Sequence, residues 1–129
     1  DQLKQVFWNL ATNAFQAMPR GGELTIATNR RQVGMSGRKG ELIEITFEDT
    51  GEGIKREHLD KIFLPFFTTK REGSGLGLAA IDRIVDLHGG WIRVESEEGQ
   101  GTRFVICLPK SPSGEPGHWH EGRGPWKKS

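Results

Sequence analysis

The period of the hydrophobic residues changes along this chain, and the order of the changes confines it to a sheet with helices packed against it. Over residues 2–18, Leu3, Val6, Phe7, Leu10, Ala14 and Ala17 recur at i, i+3, i+4 and i+7, which predicts an amphipathic helix. Gln2, Gln5, Asn9, Asn13 and Gln16 make a polar stripe at the same spacing, and Pro19-Arg20-Gly21-Gly22 ends the helix. Between residues 41 and 49 the period becomes two: Ile43, Ile45 and Phe47 alternate with Glu44, Thr46 and Glu48. That is a strand with one buried face. A partner strand is expected over 23–33, with 34–40 as the turn between them. Residues 55–62 read as a short helix and 64–75 as a loop of Gly, Thr and Lys without apolar period, long enough to be functional or mobile. A helix over 76–88 buries Leu78, Ile81, Ile84, Val85 and His88 and stops at Gly89-Gly90. Strands over 91–96 and 102–108 close a hairpin around Glu97-Glu98-Gly99-Gln100-Gly101. The layout is an α/β two-layer sandwich, a mixed sheet with helices on one face.

A chain of 129 residues with 34% hydrophobic and 27% charged content is one soluble domain with a single core. No apolar run approaches the roughly 20 residues of a membrane span, and no signal peptide opens the chain, so any membrane anchor of a parent protein would lie outside it. Eighteen basic against 17 acidic residues argue against a dedicated nucleic-acid surface. Seven of the last 20 residues are Gly or Pro, so 1–109 is expected to be the domain and 110–129 a disordered tail or a cloning remnant. The single cysteine, Cys107, permits no internal disulfide and falls in an apolar strand pattern. It reads as a small buried hydrophobe of a cytosolic protein.

Three motifs carry chemistry. In Asn9-Leu10-Ala11-Thr12-Asn13-Ala14 two asparagines project from one helix face a turn apart; their neutral amide oxygens suit a hard cation such as Mg²⁺, or they simply fill a solvated face. In Asp49-Thr50-Gly51-Glu52-Gly53-Ile54 an acid ends a buried strand, and the glycines let the backbone turn with positive φ and approach a ligand closely. A carboxylate there accepts a hydrogen bond from the adenine amino group and repels the carbonyl of guanine. The alternatives are an ordinary Asp-Gly turn or a calcium loop, and the second lacks the alternating Asp/Asn ligands. Gly73-Ser74-Gly75-Leu76-Gly77-Leu78 opens a helix, where free amides and the helix dipole favour phosphate. Its spacing fits neither a Rossmann fingerprint nor a Walker loop. Lys70 and Arg71 either neutralise a triphosphate or form a solvated pair, and Phe63, Phe66 and Phe67 read as packing residues.

In this order, with Phe63-Leu64-Pro65-Phe66-Phe67-Thr68-Thr69-Lys70 between the second and third, the motifs resemble the N, G1, F and G2 boxes of the catalytic, ATP-binding domain of sensor histidine kinases. That domain belongs to the GHKL superfamily, shared with gyrase, MutL and a heat-shock chaperone class, and the resemblance runs from about Asp1 to Pro109. It implies a Bergerat-type fold, in which another strand usually precedes the first helix; this chain starts too late to contain it. It implies ATP and Mg²⁺ as cofactors, and transfer of the γ-phosphoryl group to a histidine on a separate dimerisation domain. By resemblance Asp49 specifies adenine, Asn13 is the direct Mg²⁺ ligand, and Asn9 assists directly or through water. Gly51, Gly53 and Ile54, with Lys70, Gly73, Gly75, Leu76 and Gly77 of the lid, surround the nucleotide. Thr102, in Gly101-Thr102-Arg103-Phe104, resembles the residue that reaches adenine through water.

Hydrolysing branches of the superfamily commonly carry Glu at the position of Asn9. An amide takes up no proton as a general base, so feeble hydrolysis and transfer to an external nucleophile are expected. Gln16 stands where many histidine kinases have a basic residue, and Asn-Ala-Phe-Gln-Ala-Met with Phe-Phe-Thr-Thr-Lys looks like the nitrogen-regulation branch. None of the four histidines has the setting of the acceptor: His88 suits a core or capping role, and His58 reads as exposed. His120-Glu121-Gly122-Arg123-Gly124-Pro125 mimics the acceptor pattern but has glycines where a helix is needed. His118 and His120 are too few for a structural zinc site. The implied partners are the dimerisation helices and, through them, a response regulator, for a cytoplasmic domain, monomeric in isolation, whose parent is either soluble or anchored in the inner membrane. The competing readings are a GHKL ATPase, an anti-sigma-factor serine kinase and a non-catalytic nucleotide-binding module.

Overall fold

The computed structural model describes residues 2–35, 38–69 and 77–110. Helix α1, Gln2–Gln16, leads into strands β1, Leu24–Met35, and β2, Arg38–Asp49; helix α2, Gly77–Leu87, leads into β3, Trp91–Glu97, and β4, Gly101–Lys110. One sheet holds the strands in the order β1-β2-β4-β3. The β1–β2 ladder runs through Val33↔Gly40 to Met35↔Arg38, so most of the turn expected over 34–40 is paired strand. Every neighbouring pair in the described sheet is antiparallel, which corrects the expected mixed sheet. The long crossover through α2 does bring β3 back in the same direction as β2, but β4 inserts between them and pairs antiparallel with both.

The helical period of α1 places Val6, Leu10 and Ala14 inward, each at most 3% exposed. α2 buries Ile81, Ile84 and Val85 in the same way. Val6, Leu10, Ile81, Ile84 and Val85 meet Ile45 and Phe47 of β2, Ile92 of β3, and Phe104 and Ile106 of β4 in the main core. The last turn of α2 is closed by His88, half-buried, whose Nδ1 lies 2.8 Å from the Ile84 carbonyl: of the core and capping roles the sequence leaves open, this is capping. The helix expected over 55–62 shrinks to a 3₁₀ turn, Arg56–His58, continued by turns. A segment this short gains too few hydrogen bonds to offset helix nucleation, and no side chain caps its start. Neither α1 nor α2 is long and apolar enough to cross a membrane.

The outer face of the sheet is not simply solvated, as alternation in β2 suggests. Leu42, Trp91, Val105 and Cys107 form a second buried cluster there, and Glu44 is only 6% exposed. Register puts Glu44 beside Cys107, and the Arg31 guanidinium holds its carboxylate at 3.0 Å. Burial, reinforced by the charge of Glu44, pushes the Cys107 thiol up to about 12.

Candidate functional site

A cleft of about 1070 Å³ lies between α1, the loop after β2, residues 54–69 and the first residues of α2. Asn9, Asn13, Asp49, Gly53, Ile54, Gly77 and Thr102 all line it, although the sequence separates them by up to 93 positions. Lys70, Gly73, Gly75 and Leu76, with Arg71, lie outside the described residues.

The sheet wall is built around Asp49. It is 7% exposed at the end of β2, and its Oδ1 accepts hydrogen bonds from the backbone N–H of Gly51 at 2.9 Å and of Thr102 at 3.2 Å. Both bonds follow from topology: Gly51 is two residues on in the turn, and Thr102 is the ladder partner of Asp49. None of the described residues engages Oδ2. The two glycines of the loop have different reasons. Gly53 has φ 74°, the left-handed conformation expected for it. Gly51 has no such angle; it is required because a Cβ there would run into the Ala17 carbonyl oxygen at the end of α1, and so it sits behind the wall. That carbonyl accepts the Glu52 N–H at 2.9 Å, while Gly99 N–H donates to the Glu52 carbonyl at 2.7 Å. The loop is thus tied to α1 on one side and to the β3–β4 turn on the other.

The helix wall carries Asn9 and Asn13, both half-buried. Asn9 Nδ2 donates to the Gly77 carbonyl at the start of α2 at 3.5 Å, a long bond that assigns the amide orientation and leaves Oδ1 as the oxygen for a cation. Gln16, also on this wall, brings no charge.

Sequence reasoning missed or misjudged several neighbours. His58 is half-buried, not exposed: it lines the cleft and meets Phe67 edge-on with ring centroids 5.4 Å apart. Of the three phenylalanines read as packing, Phe63 is buried against Phe104 and Phe67 packs on the core, whereas Phe66 is 75% exposed with φ 70°. The turn that carries Phe63 and Phe67 inward leaves Phe66 outside. Ser96 was not singled out at all, yet its Oγ bonds Ile54 N–H, the Gly101 carbonyl and the Thr102 hydroxyl. A serine in a strand has no motif to announce it; only register, which pairs Ser96 with Thr102, points to it.

Residues 1–112 match the family described as histidine kinase-, DNA gyrase B-, and HSP90-like ATPase. The chain is 42% identical over 119 residues to sensor histidine kinase ZraS of Escherichia coli (strain K12), a match covering 88% of this chain and 24% of that protein. It therefore spans about a quarter of that curated relative's length. Among solved structures, the catalytic domain of histidine kinase ThkA is similar with a TM-score of 0.67 at 36% identity, covering 86% of this chain and 69% of that one. Full-length ShkA in complex with AMPPNP is similar with a TM-score of 0.66 at 29% identity, over 83% of this chain and 21% of that one. The fold agrees with these likenesses: the chain belongs to the histidine kinase-, DNA gyrase B-, and HSP90-like ATPase family, and its fold is that of the catalytic, ATP-binding domain of sensor histidine kinases.

Proposed function

We propose that this domain binds ATP in the cleft and transfers its γ-phosphoryl group to a histidine on a separate helical dimerisation domain, from which a response regulator is served. The observation that carries the reading is Asp49: a buried carboxylate on the cleft wall, fixed through one oxygen by two backbone amides, with the other left for an adenine amino group. Thr102, beside it, completes that corner. Asn13 and Asn9 supply amide oxygens of the kind Mg²⁺ accepts while keeping several waters. Bound there, the ion would neutralise the phosphate charge and align the γ-phosphoryl group. Gly77 and the lid residues Lys70, Gly73, Gly75 and Leu76 are assigned to the phosphates, with Gly51, Gly53 and Ile54 shaping the base pocket.

In the transfer, a P–N bond forms to the acceptor imidazole as the bond to the β–γ bridging oxygen breaks, with ADP as leaving group. Positioning and charge neutralisation do most of such chemistry. Asn9 takes no proton from water, so hydrolysis in the cleft is slow. The Asn-Ala-Phe-Gln-Ala-Met and Phe-Phe-Thr-Thr-Lys segments support placing the parent in the nitrogen-regulation branch, and its domain in the cytoplasm. The test is incubation with γ-labelled ATP and the parent's histidine-bearing dimerisation segment. An acid-labile label on that segment is expected. An acid-stable label, or phosphate release without labelling, contradicts the proposal.

A further inference from the structure

Ser96 of β3 does not line the cleft, yet it touches three of the supports behind the base-binding corner. Its Oγ lies 2.8 Å from Ile54 N, 2.9 Å from the Gly101 carbonyl oxygen and 2.9 Å from Thr102 Oγ1. A hydroxyl has one proton to give and two lone pairs with which to accept. The Ile54 N–H only donates and the Gly101 carbonyl only accepts. The Ser96 proton is therefore committed to Gly101, and the third bond requires Thr102 to donate its own proton to Ser96. Thr102, 6% exposed and on the cleft wall, is left with lone pairs alone to offer a ligand. Its backbone N–H is meanwhile spent on Asp49.

We infer that Ser96 is a positioning residue for base selectivity: it fixes the Thr102 hydroxyl as an acceptor beside the Asp49 carboxylate, so that the corner takes an exocyclic amino group and rejects a carbonyl. The inference rests on the nucleotide-binding reading above and adds to it. A hydroxyl free to rotate serves either base, because it donates to a carbonyl as readily as it accepts from an amino group. Locked by Ser96, it faces guanine's carbonyl with a second acceptor and no proton between them, and a buried polar mismatch of this kind is what makes discrimination strong.

The experiment is calorimetric titration of the full 129-residue chain with non-hydrolysable ATP and GTP analogues, on wild type, Ser96→Ala, Thr102→Val and the double variant. The ratio of the GTP to the ATP dissociation constant is expected to fall by about tenfold in Ser96→Ala, partly by gained GTP binding, and to be retained in Ser96→Thr. In the Thr102→Val background, Ser96→Ala should move the ratio by less than about twofold, since the two act through one bond. A purely structural Ser96 would weaken both nucleotides together and leave the ratio unchanged, which overturns the inference. If Ser96→Ala does not fold, Ser96→Cys keeps the shape with weak bonds, and an unmoved ratio there overturns it equally. Binding of neither analogue by folded wild type sinks the nucleotide reading and this inference together; adenine binding with an unmoved ratio sinks this inference alone.

Discussion

The two walls of the cleft are built differently. On the sheet wall, Asp49, Thr102, Ser96 and Ile54 are linked by hydrogen bonds of 2.8–3.2 Å, and the strand register of β2, β4 and β3 sets the positions of Asp49, Thr102 and Ser96. On the helix wall, Asn9 reaches α2 through a bond of 3.5 Å, and helical spacing puts the two asparagines on one face. The sheet wall is held by this network without a ligand, so on the proposed function the selection of a base would belong to the fold. The helix wall offers oxygens whose final arrangement a cation and phosphates would set. On the proposed function, recognition would fall to the wall that strand register builds and phosphoryl chemistry to the wall of the helix.

The sharpest way to break this contrast is to remove a side chain from each wall and compare stabilities. Asp49→Ala leaves the Gly51 and Thr102 amides without their acceptor, and a loss of about 2–4 kcal/mol in urea unfolding is expected from two orphaned donors. Asn13→Ala, on a half-buried helix face, should cost less than about 1 kcal/mol. Equal losses would erase the distinction between the walls. Binding sharpens it next: Asn13→Ala should abolish the enhancement of ATP-analogue binding by Mg²⁺, about tenfold, while affinity measured without the ion stays unchanged. A variant weakened equally with and without Mg²⁺ would place Asn13 against the nucleotide instead of the cation.

The smallest expected effect lies away from both walls. The Cys107 thiol, pushed up to about 12 by burial and Glu44, stays protonated in the folded chain at pH values where the unfolded thiol, near 9, has ionised. Stability should thus be fully present below pH 9 and decline as pH rises from about 9 towards about 12. Cys107→Ala should flatten that part of the curve in urea unfolding, with nucleotide selectivity untouched. An identical decline in the variant would assign the effect to other groups.

Much of the cleft's lining was legible in the sequence because these residues sit where local rules are strong. Helical spacing put Asn9 and Asn13 on one face, a strand end followed by Gly-Glu-Gly marked Asp49, and a helix start marked Gly77. What was not legible depended on pairing between distant strands. Ser96 gains its three partners only when β3 is laid against β4 in register, and β4 against β2. Glu44 alternates as a solvent-facing residue should, yet Arg31 and Cys107 enclose it, a contact no period in β2 announces. The sheet's antiparallel order likewise hinges on β4 inserting between β2 and β3. His58 moved from surface to cleft because residues 55–62 form a tight turn that brings its ring to Phe67.

The most direct test of the account is titration of wild type and Asp49→Asn with a non-hydrolysable ATP analogue. Asparagine keeps an oxygen for the Gly51 and Thr102 amides but turns an N–H₂ towards the base, so the fold should survive while affinity falls about a hundredfold, the loss expected when a charged acceptor becomes a donor. Undiminished binding by a folded Asp49→Asn domain would contradict the assignment of Asp49 as the residue that selects adenine, and with it the division of labour between the two walls.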